Sequence, residues 1–133
     1  MNKLCLLLII LMFVVPVAAV KVEHRGVPVY FFHYKINQTE CLDNLDLIPY
    51  HYWSNVSSFK FYLGKNQNFE GYYFWYSKKV NVLDGCSLGV LVHELAHHKQ
   101  DMDGIRWSHG DLHNDSFIER ENMIWRDIYG TNN

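Results

Sequence analysis

The chain has 133 residues, a formal net charge of −2 and no run of lysine or arginine. This argues against a nucleic-acid partner held by phosphate contacts. One core can be buried in a chain of this length, not two, and an aromatic content of 16% supplies the buried area that a small core needs.

Met1-Asn2-Lys3 carries a single positive charge, Leu4 to Val20 is almost continuously apolar, and Val17-Ala18-Ala19 sets small residues where a signal peptidase cuts. The pattern predicts a secretory signal removed after Ala19. It leaves a signal peptide over 1–19 and one domain over 20–133, secreted or extracytoplasmic. Left uncleaved, the same run is a membrane anchor, though it is short of the ~20 residues that span comfortably. Cys5 leaves with the signal; Cys41 and Cys86 remain as an even pair. In an oxidising compartment they are expected to form one disulfide, against the alternatives of two buried thiols or a reactive Cys86. Sequons begin at Asn37, Asn55 and Asn114, but so short a pattern carries little weight.

Val27 to Lys35 is β-branched and aromatic and predicts a strand. Asn37 to Pro49 reads as loop or short helix, and Tyr50 to Ser58 is ambiguous. Phe59 to Leu63 alternates apolar and polar residues and predicts a second strand, followed by a turn over residues 64–68. Gly71 to Ser77 and Val80 to Leu83 predict one or two further strands, as a hairpin turning at Lys78-Lys79. Leu88, Leu91, Val92 and Leu95 recur at helical spacing, predicting a helix from about Ser87 to Asp101, capped by Ser87 or Asp84 and ended by Asp103-Gly104. A loop over residues 105–114 holds Trp107, His109 and His113, and a last helix runs from about Asp115 to Tyr129. Its apolar set is Phe117, Ile118, Ile124, Trp125 and Ile128. The order predicts an α+β fold, a small antiparallel or mixed sheet with helices on one face.

The central helix contains His93-Glu94-Leu95-Ala96-His97, an HExxH pattern. Residues four apart on a helix share a face, so both histidines can address one ion. Imidazole suits zinc, and a catalytic zinc takes three protein ligands and a water. Glu94 stands where a general base for that water is needed. His98 is about 100° round the helix from His97 and reads as a flanking polar residue. The third donor is open. The metzincin spacing fails, because Gln100 and Asp103 stand where its Gly and His belong. Glu121 shares a helical face with Phe117, Ile124 and Ile128, and a carboxylate on an inward face requires a cation. Glu119 lies well round the helix and reads as solvated. His113 and His109 are the other candidates, and either, or Tyr129, can instead serve a developing oxyanion.

The run from Leu91 to Gln100, preceded by the strand-like Lys79 to Leu83, resembles the minimal gluzincins, very small zinc metallopeptidases with an LVHELxHHxQ helix. The resemblance covers roughly the C-terminal half. It implies that the second acid of Glu119-Arg120-Glu121 completes the site, although Asn122 and Met123 depart from the family's Ala and aromatic. SprT-type metalloproteases offer a rival likeness, a third His followed four residues later by an aromatic, as His113 is by Phe117.

The expectation is therefore a secreted metallopeptidase holding one zinc per chain on His93, His97 and Glu121. Its zinc-bound water attacks a peptide bond while Glu94 takes the proton. Val80 to Leu83 is expected as a sheet edge on which extended substrate pairs. The alternative is a secreted zinc-binding interaction protein without catalysis. A third reading is a precursor whose Lys21 to Gly26 segment fills its own cleft, which very small gluzincins can do.

Overall fold

The computed structural model describes residues 19–64, 69–105 and 112–130. His109, Trp107, the signal run up to residue 18 and the turn beyond Gly64 lie outside the described residues. The elements are β1 (Val20–His24), β2 (Val27–Phe31), α1 (Gln38–Leu47), a 3-10 turn (Tyr50–Tyr52), β3 (Ser58–Phe61), β4 (Gly71–Phe74), β5 (Lys79–Val82), α2 (Leu88–Met102) and α3 (Asp115–Tyr129). The fold is α+β with a mixed five-stranded sheet in the order β1-β2-β3-β5-β4. β2, β3 and β5 run parallel, while β1 and β4 pair antiparallel at the two edges.

Alternation sets which face is covered. Val27, Val29 and Phe31 of β2, Phe59 and Phe61 of β3, and Val80 and Val82 of β5 are buried, whereas the residues between Val27, Val29 and Phe31 are half-buried. The helices pack on the buried face. Leu91 and Leu95 of α2, Ile124 of α3 and Trp53 complete the core, and the Trp53 indole donates to the Ile48 carbonyl at 3.0 Å. α2 lies across β4 and β5, and α3 packs along α2.

Three expectations change. The segment from Lys21 to Gly26, considered as a plug for the cleft, instead forms β1 and its turn, at the sheet edge farthest from β4. Arg25 (φ 49°) and Gly26 (φ 81°) make the tight two-residue hairpin that joins β1 to β2. Second, β5 (Lys79–Val82) is an internal strand with both sides paired, so among the described residues the edge strand beside α2 is β4. Third, the β4–β5 turn is made by Trp75 to Lys78, with Lys78 left-handed at φ 57°, and Lys79, expected in the turn, is the first residue of β5.

Cys41, in the first turn of α1, is bonded to Cys86, just before α2, with Cα atoms 5.1 Å apart. The link fastens α1 to the entry of the helix that carries HExxH. Replacing both cysteines with alanine is expected to lower unfolding free energy by ~2–4 kcal/mol, measured by denaturant titration. An unchanged midpoint would show that the bond contributes nothing to stability.

Candidate metal centre

α2 begins where Ser87 Oγ accepts from the Val90 amide at 3.4 Å. Its buried residues Leu91, Val92, Leu95 and Ala96 seat it against the sheet. His93 and His97 then project one turn apart beside the sheet edge. Gly71 makes the close approach possible: a Cβ there would lie 2.7 Å from Val90 Cγ1 and 3.1 Å from Glu94 Cγ. Any side chain at position 71 pushes β4 away from the helix.

The third imidazole comes from His113. Its Nε2 lies 3.1 Å from His93 Nε2 and 3.2 Å from His97 Nε2, and one ligand atom from each residue falls within 4.8 Å of the other two. Zinc–imidazole bonds of ~2.0–2.1 Å in a tetrahedral set hold nitrogens ~3.3 Å apart. The residues therefore fit a metal ion. His113 is held by its neighbour Asn114, which caps α3: its Oδ1 accepts from the Ser116 and Phe117 amides at 3.0 and 3.3 Å. Phe117 packs against all three imidazoles, with ring centroids 4.6–4.9 Å away.

Glu121, the expected third ligand, stands elsewhere. Its Oε2 is 3.3 Å from His93 Nδ1, behind the ring rather than at the point where the Nε2 atoms converge. From there it orients His93 and raises its basicity. Burial lowers the His93 pKa, and the Glu121 charge opposes that shift. Glu119 is exposed, as expected.

Gln100 does the same for His97. It is fully buried, and its Oε1 lies 2.9 Å from His97 Nδ1. Its amide nitrogen donates to the Leu112 carbonyl at 3.0 Å and to Ser116 Oγ at 2.9 Å. Those two bonds leave the oxygen facing His97, which must then carry its proton on Nδ1 and turn the Nε2 lone pair toward His113. One side chain thus sets the tautomer of His97 and pins the segment bearing His113. Gln100→Leu is expected to cost ~1–3 kcal/mol of stability, because buried partners lose their hydrogen bonds, and to weaken metal affinity ~10–100-fold. Thermal melts and a competitive chelator titration read the two effects separately; no change in either would remove the role assigned to Gln100.

Glu94 is buried and borders the same cleft as His93, His97 and His113. In the metal-free protein burial pushes its carboxyl up to about 8, the direction that strengthens a carboxylate as a proton acceptor. His98, read from the chain as a flanking polar residue, is buried too. Its Nδ1 lies 2.8 Å from the Tyr73 hydroxyl, which donates to Asp101 Oδ2 at 2.7 Å. Neither Gln100 nor this network was legible beforehand. The signals were that His98 and Gln100 are polar residues on a core helix and stand at fixed positions of the LVHELxHHxQ pattern.

The cleft has a volume of about 400 Å³ and is walled largely by the β4–β5 hairpin. Comparison with protein families, with curated proteins and with solved structures finds no match to this chain.

Proposed function

We propose that this chain is a small zinc-dependent peptidase, with His93, His97 and His113 as the metal ligands and Glu94 as general base. The observation that carries this reading is the convergence of three Nε2 atoms beside a buried glutamate in an open cleft. Two of the imidazoles are buttressed through Nδ1, by Glu121 and Gln100. Such outer partners are the habit of metal-ligating histidines. When bound, zinc supplies a Lewis acid for the carbonyl and an acidic water near pH 7. Glu94 takes a proton from the attacking water and returns it to the leaving amine. The outer edge of β4, the last strand of the sheet among the described residues, offers backbone groups for an extended peptide. Within the two likenesses noted from the chain, a third histidine followed by Phe117 favours the SprT-type arrangement over the gluzincin one. The Cys41–Cys86 bond supports an exported protein.

The test is zinc per chain in the purified protein, followed by hydrolysis of a peptide pool before and after chelation, with circular dichroism alongside. One zinc, activity lost on chelation and restored by zinc, and a retained fold are expected. Collapse of the fold on chelation with no hydrolysis at any stage would make the zinc structural and the protein an interaction module. Absence of zinc after reconstitution would remove both readings.

A further inference from the structure

The cleft says which peptides fit. Beyond the three histidines and Glu94, the described residues lining it carry no charged side chain. Phe69 and the β4–β5 hairpin from Gly71 to Ser77 line it, and on the side toward α2 its wall is aromatic, formed by Tyr73 and Trp75. At about 400 Å³ it lies in the range of ligand-sized pockets, with room for one large side chain and its flanking backbone. A charged side chain laid against the aromatic part of that wall loses water and finds no opposite charge among the described residues there, which is costly. An apolar one gains by burial and by ring contacts.

The wall is also held in place. The Lys78 ammonium donates to the Trp75 carbonyl at 2.9 Å and pairs with Asp101. Asp101 in turn accepts from Tyr73 at 2.7 Å, and Tyr73 is bonded to His98. This five-residue clamp ties the hairpin turn to α2, one turn beyond the second histidine of HExxH. The Trp75 ring then stands 5.6 Å from the Tyr73 ring and 6.3 Å from the His97 ring, centroid to centroid. A wall fixed before the ligand arrives spends little binding energy on ordering.

We propose that the aromatic wall selects peptides bearing a large apolar side chain, aromatic or long aliphatic, beside the scissile bond, with Trp75 as the specificity-determining residue and Asp101 as a positioning residue. The proposal rests on the peptidase reading for its chemistry, and its binding arm stands apart from that reading.

The experiment uses zinc-loaded protein and quenched fluorescent peptides alike except for one residue, Phe, Leu, Asp or Lys, flanking the bond that is cut. The Phe and Leu peptides are expected to be cleaved with kcat/KM about 10–100-fold above the Asp and Lys peptides, the range that side-chain fit in an apolar pocket provides. Trp75→Ala should reduce that ratio to near one. Asp101→Asn should raise KM for the Phe peptide while zinc per chain stays unchanged. In parallel, binding of the same peptides to the Glu94→Gln protein is followed by anisotropy. Selective binding of the Phe peptide without cleavage by wild type would keep the pocket assignment and sink the peptidase reading. Equal cleavage or equal binding of charged and apolar peptides, or binding of none, would overturn the proposal.

Discussion

His113→Gln is expected to strip zinc from the protein, whereas Glu121→Gln is expected to keep it. The two residues occupy different sides of the His93 ring. His113 Nε2 lies within 3.2 Å of both other Nε2 atoms, so in the proposed site it closes the ligand set. Glu121 meets Nδ1 of His93, at 3.3 Å, so in the proposed site it supports a ligand from behind. Loss of an outer partner weakens metal binding ~10–100-fold, an effect that excess zinc overcomes. Loss of one of three protein ligands leaves two imidazoles, too few for the three-ligand set of a catalytic site. Elemental analysis after dialysis against buffered zinc separates the outcomes. The reverse pattern, zinc lost with Glu121→Gln and kept with His113→Gln, would return the site to the gluzincin arrangement.

The second large effect is catalytic. Glu94→Gln is expected to reduce kcat by ~10²–10⁴-fold, the contribution of a positioned general base, with zinc content unchanged. Glutamine matches glutamate in shape, and Glu94 belongs to none of the three metal-facing contacts. The substitution therefore removes the proton acceptor alone. Because burial holds this carboxyl near 8 in the apoprotein, its neutral isostere should also leave the metal-free fold intact, checked by a thermal melt after chelation. Unchanged kcat in a zinc-loaded Glu94→Gln protein would eliminate the general-base assignment.

Local pattern carried the elements that repeat on a helix or strand. The stripe of Leu88, Leu91, Val92 and Leu95 marked α2, and the boundaries of α3 at Asp115 and Tyr129 agree with the reading of the chain. β1 escaped because Val20–His24 is a five-residue edge strand with charged residues in it, continuous in sequence with an apolar run that obscures its start. Asn37 to Pro49 does not separate loop from helix in the sequence because its polar residues hide the helix; only Cys41 and Leu45 of α1 are buried.

The site divides in the same way. His93, Glu94 and His97 lie within one turn and a half of one helix, so helical geometry alone brings them together, and the chain determined them. The identity of the third imidazole depends on how α3 is set against α2. An acid at position 121 on the half-buried side of that helix is compatible both with reaching the metal and with standing behind His93. Only the tertiary structure decides, because the Asn114 cap and the Gln100 bonds to Leu112 and Ser116 bring His113 forward and leave Glu121 behind the ring. The wall of the cleft likewise required the fold. Tyr73 and Trp75 read as ordinary strand aromatics until parallel pairing of β3 with β5 placed β4 at the edge, since strand order arises from long-range contacts that local periodicity does not encode.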